Sequence, residues 1–177
     1  MKKIALMLAV ALGSAACFAQ INKSELKQLQ NFLNQPAETE STNAQALKIT
    51  NVKDPSTWEG VTIVGGNVTE INWKGKKLAG DLDLSGFKAL AKVDVSRNKI
   101  TSVSVAGDAA LTEVNASRNR LTSIDLTGTS QLTKLSINNN RLTEFNVSDA
   151  PLLKNINIAS NYLVALDLHQ SSTLETV

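Results

Sequence analysis

The 177-residue sequence contains one cysteine, Cys17, and one histidine, His169. A lone cysteine cannot close an intrachain disulfide, and a lone histidine cannot build a pair such as the one in HExxH metal sites. The phosphate-binding patterns GxGxxG and GxxxxGK followed by Ser or Thr do not occur in the sequence. We therefore expect no metal, no cofactor and no catalytic residues, and we interpret His169 as an exposed turn residue.

Long apolar runs are also scarce. The longest begins at Ile4, after two lysines, and ends near Ala16. It is shorter than the ~18 residues that a membrane-spanning helix requires. A basic start, a short apolar run and small residues before Gln20 are typical of a secretory signal peptide. We predict cleavage after Ala19 and an exported protein, secreted, periplasmic or at the cell surface, with no transmembrane segment.

Cleavage before Cys17 is the alternative, and it would make this cysteine a lipid-anchored N-terminus as in bacterial lipoproteins. Ser14 stands at the position where their motif usually has leucine. This departure favours soluble export over a lipid anchor.

A strong charge of one sign is missing from the predicted mature chain. Removal of Lys2 and Lys3 with the signal leaves 16 basic and 16 acidic residues. A neutral chain has no overall field that would attract a polyanion, so we predict no nucleic-acid partner.

Two columns of residues recur every 21 positions in the C-terminal part of the sequence, and each turn reads LxxΦxΦxxNxΦTxΦxΦ, where Φ is mostly aliphatic. A period shared by two columns predicts stacked repeats. The asparagine column is Asn98, Asn119, Asn140 and Asn161, and the leucine column is Leu90, Leu111, Leu132, Leu153 and Leu174.

Alternating apolar residues predict two short strands in each turn. Val93 and Val95 place one strand face in a core while Asp94 faces outward. The result is a β-rich solenoid with parallel strands and two extended walls. The pairs of the second wall are Val103 and Val105, Ile124 and Leu126, Phe145 and Val147, and Leu166 and Leu168.

The asparagine column is predicted to be structural. An inward amide in a tight bend satisfies backbone groups of its own and neighbouring turns that would otherwise be buried without partners.

The pattern resembles the leucine-rich-repeat signature. The order of helix, linker, the segment TWEGVTIVGGNVTEINWKGKKLAGDLDLSGF and 21-residue repeats is similar to secreted and surface leucine-rich-repeat proteins of Bacteroidetes-type bacteria. The resemblance implies a leucine-rich-repeat solenoid with a small α-helical plus hairpin N-terminal cap, and a role in binding or adhesion. A fold alone does not assign a function.

The predicted organisation has three parts. Residues 1–19 are the signal peptide, residues 20–70 are the N-terminal helix, linker and cap, and residues 71–177 are about five repeats, the last incomplete at Val177. The N-terminal helix is expected over residues 24–35 with Ser24 as its N-cap. A linker over 36–43 and a short helix around 44–48 follow.

The leading functional hypothesis is a non-enzymatic recognition module for a protein or glycan ligand. A basic ridge in the bend after the first strand would suit an anionic ligand, because arginine makes bidentate contacts with carboxylate or phosphate. The alternative is a solvated rim that keeps the protein soluble. The candidate binding residues are Arg97, Lys99, Arg118, Arg120 and Arg141 in the ridge, Asn115 and Asn157 on the adjoining polar wall, and Tyr162, an exposed aromatic.

Two other functions remain open from the sequence. An uncapped last turn would expose a strand edge and permit self-association, as in a structural or adhesive envelope protein. A carbohydrate-active enzyme would use Asp83, Asp125 or Asp167, which recur on alternate turns at a spacing near that of inverting glycosidases.

Overall fold

This computed structural model describes residues 21–148, 150–166 and 173–176. The predicted signal peptide lies outside these ranges, as do Asp167, Leu168, His169 and Val177. No helix within them is both long and apolar enough to cross a membrane.

The described chain is a β-solenoid of about four turns with a 21-residue spacing, preceded by two helices. The helices are α1 (Lys23–Leu33) and α2 (Asn43–Ala46), followed by a 3-10 turn at Pro55–Thr57. The strands are β1 (Val61–Val64), β2 (Asn67–Asn72), β3 (Ala79–Asp83), β4 (Lys92–Asp94), β5 (Lys99–Ser104), β6 (Glu113–Asn115), β7 (Ser123–Asp125), β8 (Lys134–Ser136) and β9 (Asn155–Asn157).

The strands form two walls that enclose the core. The first wall has the order β1-β2-β4-β6-β8-β9, and the second wall has the order β3-β5-β7. Strands β1 and β2 form an antiparallel hairpin, and all other pairs are parallel. The predicted β-rich solenoid with parallel strands is confirmed, and β2 belongs to the hairpin and to the first wall at once.

Alternation explains which residues fill the core. Val93 and Val95 are 2% and 0% exposed, while Asp94 between them is half-buried on the outer face. The same inward column continues at Val114 and Leu135, each 1% exposed. Parallel pairing in register repeats each inward position one turn later, so the apolar side chains stack into continuous columns.

The N-terminal helices cover the free edge of β3. The side-chain amide of Gln35 accepts from the Asp81 N–H (2.8 Å) and donates to its C=O (2.8 Å), as a neighbouring strand would. Asn43 makes the same two bonds with Ala79. Gly80 lies between them with a φ of +90°, and a Cβ there would overlap the Gln35 amide. An edge strand is thus paired by side chains instead of being open.

Helix α1 differs from its predicted limits. It runs from residue 23 to residue 33, and Asn22 is the N-cap: its Oδ1 accepts from the Ser24 N–H at 3.0 Å. The prediction of Ser24 as N-cap was wrong because the backbone N–H of Asn22 donates to the Gly66 C=O (2.7 Å), and this bond holds Asn22 at the helix start. Helix α2 likewise starts earlier than predicted, at Asn43.

Within the described ranges, the second wall has fewer strands than predicted. Its named strands end with β7, and Phe145 and Val147 belong to no strand there. Val147 still points into the core (2% exposed), and Phe145 is half-buried. The pattern alone specifies which residues face inward, while strand pairing also requires neighbouring turns to lie within hydrogen-bond distance.

Candidate functional site

The asparagine column shapes the bend between the two walls. The Asn140 Oδ1 accepts from the Leu121 N–H of the preceding turn (3.0 Å). Its Nδ2 donates to the C=O of Ile137 in its own turn (2.9 Å) and of Ala116 in the preceding turn (3.0 Å). Asn98, Asn119 and Asn161 make equivalent bonds. Each amide therefore links two turns and fixes the backbone beside it.

A second column, which the sequence reading missed, lies immediately before the asparagines. Its residues have left-handed backbone conformations, with a φ of +60° at Arg97 and +57° at Arg118. The same place is taken by Gly75, Asn139 and Ser160 in other turns. Gly75 and Asn139 could have indicated this column from the sequence, because glycine and asparagine favour a left-handed backbone. Arginine has no such preference, and its backbone is strained here.

Substitutions at Arg118 should report this strain. Arg118→Val is expected to lower the free energy of unfolding by about 1–2 kcal/mol, because a β-branched residue fits a left-handed backbone poorly. Arg118→Gly should leave stability unchanged or slightly higher. Urea unfolding of both variants measures the difference, and equal midpoints for valine and glycine would contradict the assignment.

The cations of the bend form what we call the basic bend: the exposed Arg97, Arg118, Arg120 and Arg141, and the half-buried Lys99. Adjacent turns of a parallel β-structure are about 4.8 Å apart, so these side chains form two adjoining rows of like charge. Such rows repel modestly in water. They add positive charge to one edge of a nearly neutral chain.

Two lysines of this region form ion pairs with glutamates, whereas its arginines form none with the described residues. Lys99 contacts Glu38 at 3.6 Å, and its neighbour Lys76 contacts Glu59 at 3.5 Å. The four arginines are exposed and make no ion pair with any residue in the described ranges. A ligand can therefore reach the guanidinium groups of the four arginines without breaking an ion pair seen in the structure.

The two asparagines of the polar wall are only partly available. The Asn115 Oδ1 accepts from the Ser117 hydroxyl (2.8 Å) and N–H (3.2 Å), and its Nδ2 donates to the Asp94 Oδ2 of the preceding turn (3.4 Å). Asn157 is exposed, and among the described residues its side chain makes one long bond, from the Ala159 N–H at 3.4 Å. Both lie on the first wall, at the ends of β6 and β9, before the bend begins.

Tyr162 occupies the place of Arg141 one turn later. Its backbone N–H donates to the Leu142 C=O (2.8 Å), and its side chain is 68% exposed. The tyrosine therefore continues the row of Lys99, Arg120 and Arg141 with an aromatic ring.

Hydrogen bonds lower the pKa of Asp83 and of Asp125 in the second wall. Burial acts to raise the pKa of Asp83, but hydrogen bonds from Ser85 and Gln28 outweigh it and lower that pKa overall. Hydrogen bonds from Thr127 lower the pKa of Asp125. A general acid needs a proton near neutral pH, and a lowered pKa removes it. Asp167, the third member of this column, lies outside the described residues.

Within the described ranges, no group of three or more His, Cys, Asp or Glu residues is placed to hold a metal ion. No protein-family model matches the sequence, and no curated protein matches it.

Proposed function

We propose that this chain is an exported leucine-rich-repeat recognition protein whose basic bend binds an anionic ligand on a protein or a glycan. The observation that carries the proposal is the set of four exposed arginines on three consecutive turns, with no ion-pair partner in the described chain. A guanidinium donates two parallel hydrogen bonds to a carboxylate, sulfate or phosphate. Several in a row match a ligand with repeated anionic groups.

Backbone strain supports a binding role for two of these arginines. A left-handed conformation costs a residue with a side chain roughly 1 kcal/mol or more, and strained residues cluster at binding sites. Gly75 and Asn139 show that residues better suited to this backbone occupy the same column. The strain at Arg97 and Arg118 is therefore consistent with side chains retained for contact with a ligand.

The signal-like pattern of residues 1–19 supports export, where acidic glycans and surface proteins are accessible. We further propose that α1, α2 and the β1–β2 hairpin act as the N-terminal cap of the repeats. The pairing of Gln35 and Asn43 with the edge of β3 supports that role.

A charge-removal variant tests the binding site. Combined replacement of Arg97, Arg118, Arg120 and Arg141 by serine should weaken binding to immobilised dextran sulfate and poly-glutamate by at least about tenfold, since four charged hydrogen-bonding groups are lost. Serine is tolerated in this bend, because Ser160 has the same backbone conformation as Arg118. Far-UV circular dichroism should remain β-rich.

The matched control removes the same amount of charge from in and beside the first wall. It replaces four exposed lysines with serine: Lys74, Lys92, Lys134 and Lys154. Binding in this control should fall much less. Replacing the four arginines by lysine keeps the charge and should restore binding only in part, because lysine lacks the planar fork. Equal losses in the serine variant and the first-wall control would overturn the assignment to the basic bend.

A further inference from the structure

The second wall opens between β7 and the turn that follows it. A cavity of about 550 Å³ lies there, lined by residues 122–126 on one side and 144–148 on the other. This volume falls within the range of ~300–1,000 Å³ that is usual for ligand sites. None of the residues of the basic bend lines this cavity.

Among the described residues, the backbone bond that joins successive turns of the second wall is missing across this cavity. One turn earlier, the Val105 N–H donates to the Asp125 C=O at 2.9 Å and joins two turns. The equivalent bond from the Leu126 N–H to the Asn146 C=O is not formed, although the structure describes both residues. Open strand edges of this kind are templates for another strand.

Apolar side chains form one part of the cavity lining. Val103, on the closed side of the wall, is 2% exposed. Ile124 and Phe145 have the corresponding inward positions in the next two turns, but both are only half-buried. The opening therefore leaves core-facing apolar surface accessible, which a closed wall would cover.

The rim of the cavity is acidic. Asp125 and Glu144 are exposed on opposite sides, and no basic residue lines the cavity. Hydrogen bonds from Thr127 lower the pKa of Asp125, so its carboxylate stays charged. A partner with positive charge at the rim is favoured, and an acidic one is repelled.

We propose that this cavity binds an extended peptide segment of a partner protein, which pairs with β7 as an added strand and has a basic–apolar–basic alternation. Side chains of a strand point alternately to the two faces. The apolar side chain would pack on Ile124 and Phe145, and the flanking lysine or arginine side chains would face Asp125 and Glu144. Main-chain bonds to the open edge would supply affinity, as in other cases of β-strand addition.

Labelled synthetic peptides test this proposal by fluorescence polarisation on the full chain. A KVKVK peptide should bind, while an EVEVE peptide should bind at least about tenfold more weakly because of the acidic rim. A KVKVK peptide that is N-methylated at alternate amides has the same charge. It lacks the N–H donors along one of its edges, so that edge cannot pair with β7. Equal binding of the methylated and unmethylated peptides would overturn strand addition.

Protein variants locate the bound peptide. Asp125→Lys combined with Glu144→Lys should weaken KVKVK binding at least about tenfold, whereas Glu40→Lys combined with Glu70→Lys makes the same charge change at exposed sites elsewhere and should have little effect. Hydrogen exchange at the Leu126 amide should slow on peptide binding. Unchanged exchange there, or equal loss of binding in both lysine variants, would refute the site.

The arginine-to-serine variant of the basic bend should still bind KVKVK. Peptide binding in the cavity and anion binding at the basic bend can therefore be refuted independently.

Discussion

Replacing Asn98 by alanine is expected to lower the free energy of unfolding by about 4 kcal/mol, because each buried backbone group that loses its partner costs ~1–3 kcal/mol. The Asn98 Oδ1 accepts from the N–H groups of Lys76 and Leu78, both at 3.0 Å. Its Nδ2 donates to the C=O groups of Trp73 (2.9 Å) and Val95 (2.8 Å). The residue is 3% exposed, so little water can replace these bonds.

The matched control for this substitution is Asn138→Ala. Asn138 is half-buried in the same repeat system, and no side-chain hydrogen bond of this residue is seen among the described residues. Its replacement should change stability by less than about 0.5 kcal/mol. Chemical denaturation followed by circular dichroism compares the two variants. A loss below about 1 kcal/mol for Asn98→Ala would show that the ladder contributes little.

Stability should fall as the pH rises from about 4 to about 8, because of one buried carboxyl. Asp108 is fully buried, and burial raises its pKa from an ordinary 3.8 to about 7, although hydrogen bonds from Phe87 and Gly86 oppose the increase. The nearby carboxylates of Glu25 and Asp83 raise it further. In this pH window the folded chain holds a proton that the unfolded chain has lost. Folding therefore becomes less favourable as the pH rises.

The size of this effect follows from the linkage relation. One pKa unit corresponds to about 1.4 kcal/mol. The Asp108 carboxyl therefore lowers the free energy of unfolding by up to about 4 kcal/mol between about pH 4 and about pH 8. Glu25 acts in the same direction, since burial raises its pKa too, against a hydrogen bond from the Val68 N–H. Asp81 and Asp125, whose pKa values are lowered by hydrogen bonds, act in the opposite direction and only at more acidic pH.

Asp108→Asn isolates the contribution of this residue. The amide oxygen can still accept from the Phe87 N–H, which now lies 2.7 Å from the Asp108 Oδ1, and it carries no charge at any pH. The variant should match the unmodified chain near pH 4 and exceed it by about 2–4 kcal/mol near pH 8. Urea unfolding across this range provides the measurement. An unchanged pH slope would mean that Asp108 is charged in the folded state.

The regular parts of the repeats could be predicted because their signals are local and repeated. Val93 and Val95 alternate with Asp94, and the structure has them inward and outward as expected. The hydrogen bonds of the asparagine column also follow the expected geometry, with each amide joining two turns. In contrast, the N-cap of α1 depends on a contact between Asn22 and Gly66, which are far apart in the sequence. No local pattern records such a contact.

The candidate sites also combine features that the local sequence pattern predicts with features that depend on contacts between remote residues. The four arginines of the basic bend could be found from the sequence, because the 21-residue period brings equivalent positions onto adjacent turns. Their strained backbone and their lack of ion pairs in the described chain required coordinates. Lys99 looked equivalent to these arginines in the sequence, but Glu38 from the N-terminal segment pairs with it.

The sequence by itself determined the period, the inward columns and the solenoid architecture, since a 21-residue repeat of apolar residues and asparagine buries a continuous core only when its turns stack. The tertiary structure alone decided which described strands of the second wall pair and where the cavity beside β7 opens. It also decided that Asp108 is buried, with a raised pKa. Pairing, burial and charge contacts depend on distances between residues remote in sequence, and the pattern of a single turn does not contain those distances.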